Sequence, residues 1–435
     1  MPTNKQIFET KMNALADAIN TKAGTSGAKD LDELKTAVDS ISTGASINGA
    51  QEITVKAMND LSEGDTIRIV SGAGTITAES SPTSLPTGTG YGCAFNHDGT
   101  RLAVAHSSSP YITIYDTTTT PYTKLANPST LPTGTGYGCA WNSDGTRLAI
   151  GHSGSPYITI YDTTTTPYTK LTNPSTLPTG IGWGCAWNSD GTRLAIGHSS
   201  SPYITIYDTT TTPYTKLTNP STLPTGSGHG CAWNSDGTRL AVAHETSPFI
   251  TIYDTTTAPY TKLTNPSTLP TGDGLGCAWN NDGTRLAVAH KTSPFITIYN
   301  TTTTPYTKRT DSSTLPTGYG YGCAWNSDGT RLAVAHGSSR YITIYNTTTT
   351  PYTKLTDPST LPTGAGRGCA WNSDGTRLAV AHETSPYLIS YSVVKATPLA
   401  YAANNLLSGL AGSYGVMEED VDTGDTGSAL KVFTA

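Results

Sequence analysis

Residues 131–176 read LPTGTGYGCAWNSDGTRLAIGHSGSPYITIYDTTTTPYTKLTNPST, and this stretch decides the fold because the chain repeats it. Close copies begin every 46 residues, at Leu85, Leu131, Leu177, Leu223, Leu269, Leu315 and Leu361. A fixed period of this length is typical of architectures in which each repeat is a small motif that buries its apolar surface against its neighbours. The seven copies therefore predict one large repeat domain with a shorter segment at each end.

Composition narrows the class of protein. Only 13% of the 435 residues are charged, and the net charge is −6. A nucleic-acid-binding protein usually carries a basic stripe, so we expect no nucleic-acid partner. No apolar run approaches the ~20 residues that cross a bilayer, and the polar start of the chain lacks the apolar core of a signal peptide. We therefore expect neither membrane insertion nor export by a signal peptide.

Each copy divides into four short strands. In the first copy they are predicted at 91–96, 101–106, 111–116 and 122–126. An Asp-Gly pair between the first two favours a tight hairpin, because glycine takes the positive φ that the turn requires. The third strand of the second copy alternates, with Tyr157 and Tyr161 on one side and Ile158 and Ile160 on the other. Both faces of each sheet must therefore be covered, as they are when sheets stack around an axis.

The two ends of the repeat array are predicted to meet. Ile76 aligns with Tyr122 of the first copy, so residues 75–79 match the fourth strand of a repeat that has no other strands before it. The last copy supplies three strands and then departs from the pattern. We therefore predict a mainly β chain with a seven-bladed β-propeller at 75–394, in which strand 75–79 completes the seventh blade.

The repeat resembles that of WD-repeat propellers in its period and in the turn Asn-Ser-Asp-Gly-Thr-Arg-Leu-Ala, which is 142–149 in the second copy. The resemblance covers 75–394 and implies the same closure of the ring. The chain departs from the family at its signature dipeptide, where it has Tyr115-Asp116 or Tyr299-Asn300 in place of Trp-Asp, and it lacks the Gly-His pair.

Three residue types recur once per copy, and each has a structural and a functional interpretation. We expect the cysteines to be small buried groups about 10 Å from one another, the aromatic residues to pack between blades, and the histidines to hydrogen-bond a neighbouring loop. The functional alternatives are a ring of metal thiolates, a sugar-stacking set and a proton-sensitive ring. The three sets are Cys93, Cys139, Cys185, Cys231, Cys277, Cys323 and Cys369; Phe95, Trp141, Trp187, Trp233, Trp279, Trp325 and Trp371; and His106, His152, His198, His244, His290, His336 and His382.

Differences among the copies concentrate at two places, just before the first strand and just after the second. In an up-and-down sheet these two links emerge on the same side, whereas the turns on the opposite side barely change. Tyr, Trp and Arg are the residues that dominate binding hot spots, so one rim is predicted to bind a ligand; drift in tolerant loops is the alternative. The candidate ligand-binding residues are Tyr91, Tyr137, Trp183, His229, Leu275, Tyr321, Arg367, Glu245, Lys291 and Glu383.

The N-terminal segment, residues 1–48, is predicted to serve attachment or oligomerisation. Ile7, Met12, Leu15 and Ile19 recur at helical spacing, and a second helix is predicted to begin near Asp30. A helical hairpin over 4–41 is too small to bury its apolar stripes alone. We expect a homo-oligomer or docking to another protein, with packing on its own propeller as the alternative. Residues 49–74 are predicted to be a β-rich linker, and 395–435 a short β-rich tail.

The segments KAGTSGAKDLDEL at 22–34 and GVMEE at 415–419 resemble pieces of bacteriophage tail and virion proteins. The resemblance implies a virion structural protein, such as a tail fibre, baseplate or head-decoration component. Such a protein is made in the host cytoplasm and acts outside the cell. It would contact other virion proteins through 4–41 and bind a host cell-surface glycan or wall polymer through the propeller. The acidic cluster at 418–425 lacks the full EF-hand spacing, and no metal or cofactor is predicted.

No copy carries a catalytic acid, base or nucleophile that the others lack. A propeller hydrolase or lyase needs an asymmetric site, so we do not predict an enzyme. Two binding functions remain. The preferred one is a virion structural protein with a receptor-binding rim, and the alternative is an intracellular WD-repeat-like scaffold that binds proteins.

Overall fold

A computed structural model describes residues 75–394 and, beyond them, the two short strands Ile69–Val70 and Pro398–Leu399. The chain divides into two compact units, Ile76–Val393 and the remaining residues at both ends. In the latter unit the two short strands pair antiparallel, with Ile69 opposite Leu399. The predicted helical hairpin at 4–41 lies outside the described residues, as do most of the predicted linker and tail.

Residues 76–393 form seven four-stranded antiparallel sheets, which we call blades 1 to 7 in the order of the copies. The first strands are Gly90–Phe95, Gly136–Trp141, Gly182–Trp187, Gly228–Trp233, Gly274–Trp279, Gly320–Trp325 and Gly366–Trp371. The second strands are Arg101–His106, Arg147–His152, Arg193–His198, Arg239–His244, Arg285–His290, Arg331–His336 and Arg377–His382. The third strands are Ile112–Asp116, Ile158–Asp162, Ile204–Asp208, Ile250–Asp254, Ile296–Asn300, Ile342–Asn346 and Leu388–Val393. The outer strands are Thr123–Lys124, Thr169–Lys170, Thr215–Lys216, Thr261–Lys262, Thr307–Lys308, Thr353–Lys354 and Ile76–Ala78.

Residues 75–394 contain no helix. Over the described part of the chain, no helix is long and apolar enough to span a membrane.

The seventh blade joins both ends of the repeat array. Ile76–Ala78 pairs antiparallel with Leu388–Val393, and Thr77 lies opposite Ser392. The carboxylate of Glu79, whose side chain is only 7% exposed, lies 3.3 Å from Nε of Arg377. The predicted closure is confirmed, and residues 76–393 are a seven-bladed β-propeller.

The turn between the first and second strands is built by side chains of the repeat. In blade 2, Asp144 Oδ1 accepts hydrogen bonds from the backbone N–H of Thr146 at 2.8 Å and from its hydroxyl at 2.6 Å. The hydroxyl bond is the main reason that the pKa of Asp144 is lowered. Gly145 takes φ of +72°, which glycine adopts without a steric cost. These interactions recur in every blade, and they explain why this turn hardly varies.

The apolar core lies between blades. One cluster joins Ile112 and Ile114 of blade 1 to Trp141, Leu148 and Tyr161 of blade 2. Equivalent clusters fill the other interfaces, including the one between blades 7 and 1. The repeated aromatic residues therefore have the predicted packing role. The six tryptophans among them also donate their indole N–H to an alanine carbonyl of the preceding blade.

The first strands converge on the axis, and this overturns the expected spacing of the cysteines. A Cβ added to Gly92 would lie 2.5 Å from the carbonyl oxygen of Tyr137 and 3.2 Å from Cα of Gly138. Adjacent blades are thus far closer here than the predicted 10 Å, because glycine lets the backbones touch. The cysteines are free thiols, and as whole residues they are of intermediate exposure. Cys139 Sγ lies 3.6 Å from the carbonyl oxygen of Ala103 in the preceding blade.

The repeated histidines are fully buried, and their Nε2 partner is on a strand of the same blade; only in blade 4 does a described hydrogen bond also reach a loop as predicted, between His244 Nδ1 and the Thr225 hydroxyl at 3.5 Å. His106 Nε2 lies 2.9 Å from the hydroxyl of Thr113, on the third strand of the same blade. The same contact recurs in blades 2 to 6, whereas blade 7 has Ser390 at the threonine position. Burial lowers the pKa of all seven histidines to about 4, so they are neutral at physiological pH.

Candidate functional site

The two varied segments of each blade lie side by side. In blade 1, the backbone N–H of Ser107 donates to the carbonyl of Thr89 at 3.0 Å. In blade 4, the backbone N–H of Glu245 likewise donates to the carbonyl of Ser227 at 3.2 Å. At the opposite ends of the strands, the backbone N–H of Thr117 donates to the carbonyl of Thr100 at 3.0 Å and links the two turns that hardly vary. We call these sides the varied rim and the constant rim.

A register shift at the start of each first strand sets the position of the varied residue. In blade 4 the shift falls between Gly228 and Gly230, and His229 is the residue between them. The glycine that follows lines a central cavity of about 150 Å³ together with the adjacent cysteine. The same arrangement recurs in all seven blades, so each varied residue directly precedes a glycine that lines this cavity.

Four of these side chains form a continuous row. The ring centroids are separated by 5.0 Å between Tyr91 and Tyr137, 4.2 Å between Tyr137 and Trp183, and 5.3 Å between Trp183 and His229. The rings are tilted by 40–56° to one another. Each is half-buried, so the row presents aromatic edges and faces to a ligand.

Arg367 extends the row across the closure of the ring. Its guanidinium carbon lies 4.0 Å from the ring centroid of Tyr321 in blade 6 and 6.0 Å from that of Tyr91 in blade 1. The same guanidinium forms an ion pair with Glu383 of its own blade. Tyr319, which is 51% exposed, packs edge-on against Tyr321 at 6.5 Å. The aromatic surface thus runs from blade 6 through blades 7, 1, 2 and 3 to blade 4.

The two varied positions contact each other within a blade. His229 Nε2 lies 3.0 Å from Glu245 Oε1, and Lys291 Nζ lies 2.9 Å from Asp273 Oδ2. The hydrogen bond to Asp273 is the main reason that the pKa of Lys291 is raised. Arg367 and Glu383 form the third such pair. The ten predicted residues therefore share one rim. Five of them take part in these three contacts, namely His229, Glu245, Lys291, Arg367 and Glu383.

A fourth pairing is steric. Blade 6 has Gly337 where blades 1 to 3 have serine, and a Cβ there would come within 3.1 Å of the Tyr321 ring. The ring of Tyr321 therefore lies directly against Gly337, although blades 1 and 2 combine the same tyrosine with Ser107 and Ser153. Asp273 and Tyr319 were not among the predicted binding residues, although both lie in the varied segment before the first strand, and that signal could have identified them.

The site offers hydrogen-bond donors but no metal cluster. Trp183 Nε1 and Arg367 Nε are buried and have no hydrogen-bond partner in the described chain. Within residues 75–394, no group of three or more His, Cys, Asp or Glu side chains is placed to hold a metal ion. Burial raises the pKa of Cys93 and Cys231 to about 12, so these thiols stay protonated. The arrangement is suited to stacking, ion pairing and hydrogen bonding with a bound partner.

Comparison with solved structures places the fold in a class. The similar structures include a Kuenenia stuttgartiensis hydrazine synthase (TM-score 0.57, 16% identity, 73% of this chain and 97% of that one). They also include a chain of a mitotic checkpoint complex (0.55, 18%, 74% and 94%). A third is the Cps50 (Swd1) β-propeller domain of Myceliophteria thermophila (0.56, 13%, 74% and 100%). The chain is a seven-bladed, WD-repeat-like β-propeller. No family model matches the sequence, and no curated protein matches it.

Proposed function

We propose that this chain is a non-enzymatic scaffold whose varied rim binds a protein partner. The observation that carries the proposal is the difference between the two rims. Seven copies of one repeat keep the constant rim nearly identical, while the varied rim carries a connected row of Tyr, Trp, His and Arg side chains. These are the residue types that contribute most to binding energy at interfaces.

The fold comparisons favour this function over the virion role that the terminal segments suggest. One of the similar chains belongs to a mitotic checkpoint complex, so the architecture is one that occurs in a protein assembly. The comparisons give no support to a phage origin. The segments on which the virion resemblance depends, 22–34 and 415–419, lie outside the described residues.

A second candidate function is attachment to a glycan, and one observation favours it. Aromatic faces stack on flat apolar surfaces of ligands, and the row from Tyr91 to Trp183 offers three of them in sequence. In that case the rim would bind a cell-surface glycan or wall polymer, as a virion protein would need.

The test uses the full chain, labelled with a fluorophore, on a peptide array and a glycan array. We expect signal on peptides, and we expect the double variant Trp183→Ala/Tyr321→Ala to lose it. The matched control is Ser143→Ala/Ser189→Ala, which changes two exposed residues of the constant rim and should bind as the parent does. Signal confined to glycans would select the second candidate. Equal binding by both variants and the parent would refute a binding rim.

A further inference from the structure

Blade 7 shows how this rim holds a cation. The guanidinium of Arg367 lies over the ring of Tyr321, which is the varied residue of the preceding blade, at 4.0 Å. It also pairs with Glu383, the varied residue after the second strand of its own blade. An aromatic face from one blade and a carboxylate from the next therefore enclose one positive charge.

Blade 4 has the same aromatic face and the same carboxylate without the cation. Trp183 of blade 3 stands at the position of Tyr321, and Glu245 stands at the position of Glu383. The residue equivalent to Arg367 is His229, whose ring lies 5.3 Å from Trp183 and 3.0 Å from Glu245 Oε1. Histidine is shorter than arginine, and the side chain of Glu245 remains 45% exposed.

Glu245 has no arginine or lysine partner in its own blade. Burial is the main reason that the pKa of His229 is lowered, so this imidazole is neutral near pH 7. Lys291 of blade 5 also attracts Glu245, but its ammonium group is bonded to Asp273 of its own blade. Of the rim carboxylates, Asp273 and Glu383 thus face a cation of their own blade, whereas Glu245 faces a neutral ring.

We propose that Trp183, His229 and Glu245 form a subsite for a cationic side chain, lysine or arginine, of the partner protein. The guest would displace the His229 ring from Glu245 and take the place that Arg367 fills in blade 7, with its charge over the indole and against the carboxylate. Cation–π attraction is strongest on tryptophan, and a charge-assisted hydrogen bond to Glu245 adds direction. This inference rests on the proposed protein-binding function and specifies which partner chemistry the rim selects.

The experiment measures fluorescence anisotropy of short labelled peptides with the full chain at physiological salt. The probes alternate glycine with arginine, glutamate or serine. We expect the arginine peptide to bind best, and we expect Glu245→Gln to weaken it about tenfold. His229→Arg should have the same effect, because its own guanidinium would fill the subsite as Arg367 does in blade 7.

The control for net charge is Asp311→Asn, which removes one negative charge at an exposed position of blade 5 that is paired with Lys308 and lies outside the proposed subsite. It should bind the arginine peptide as the parent does. An equal loss in Asp311→Asn would mean non-specific attraction to an acidic chain and would refute the subsite, as would unchanged binding in both rim variants. If Trp183→Ala/Tyr321→Ala abolishes array binding while Glu245→Gln and His229→Arg do not affect the arginine peptide, the scaffold function stands and the subsite fails.

Discussion

Trp141 donates its indole N–H to the carbonyl oxygen of Ala94, in the preceding blade, at 3.1 Å. This bond crosses the interface between two blades, and five further tryptophans repeat it. The first copy has Phe95 at this position, and phenylalanine has no donor. The interface between blades 7 and 1, where the ring closes, therefore lacks a bond that the other six have.

This difference predicts that Phe95→Trp stabilises the protein. The new indole would reach Ala370 of blade 7 by the geometry of the other copies, and a net gain of about 1 kcal/mol is expected for one hydrogen bond. Trp141→Phe, the matched reverse change, should cost about 1 to 3 kcal/mol because it leaves the Ala94 carbonyl without this donor. Urea unfolding of both variants measures the two changes. Destabilisation by Phe95→Trp would show that the closing interface cannot accept the larger ring.

The closing ion pair should contribute more than the ion pairs at the blade edges. Glu79 is 7% exposed beside Arg377, whereas Asp116 and Arg101 are 27% and 31% exposed. Removing one partner of a buried pair costs about 3 kcal/mol or more, and an exposed pair contributes about 1 kcal/mol or less. Since Arg377 is itself 25% exposed, we expect Glu79→Ala to lower the free energy of unfolding by about 1 to 3 kcal/mol and Asp116→Ala to have a smaller effect. Equal losses would argue against a buried closure.

The seven buried histidines predict unfolding in mild acid. Their pKa of about 4 in the folded protein lies below the value of about 6.5 in an unfolded chain, so the unfolded state binds more protons between these limits. The free energy of unfolding therefore has its full value above about pH 6.5 and decreases as the pH drops toward 4. At pH 5, each buried histidine lowers the free energy of unfolding by about 2 kcal/mol.

The measurement is the free energy of unfolding in urea from pH 7.5 down to 5. The carboxyls of the turns, such as Asp144 and Asp116, have pKa values lowered below 3.8 and stay ionised throughout this range. A His106→Gln variant should therefore show a shallower pH dependence, by about one proton. Stability that does not change between pH 7 and 5 would contradict neutral, buried histidines.

The ion pairs of the varied rim should matter little for folding. Lys291 and Asp273 are 42% and 33% exposed, and a double-mutant cycle with Lys291→Gln and Asp273→Asn should give a coupling below about 1 kcal/mol. The coupling should weaken further as salt is added. A larger, salt-independent value would mean that this pair holds the blade together. A small value shows that rim residues can be changed without disturbing the fold.

The sequence predicts the propeller well because the signals are local and repeated seven times. The Asp-Gly turns, the alternating third strand and the stray strand at 76–78 each follow from short stretches of residues. The spacing of the cysteines was wrong because a general sheet distance does not apply where Gly92 and its equivalents let backbones touch. The histidine partner was also missed, since Thr113 and His106 meet only when their strands pair in register.

The candidate site, too, could be predicted from the sequence only in part. The variation among copies identifies the rim, but it does not reveal that His229 and Glu245 are in contact. That contact depends on the register shift at Gly228 and on the hydrogen bond that brings the two varied segments together. The ring spacings from Tyr91 to Trp183 likewise depend on how closely adjacent blades approach at the axis.

The most direct test of a binding rim is site-specific photo-crosslinking of the full chain in the cells that produce it. A photoreactive residue replaces Tyr137 on the varied rim or, in a separate variant, Ser143 on the constant rim of the same blade. We predict that position 137 captures a discrete protein partner, that position 143 does not, and that Trp183→Ala removes the capture. The opposite pattern, with capture from position 143 alone, would contradict the account.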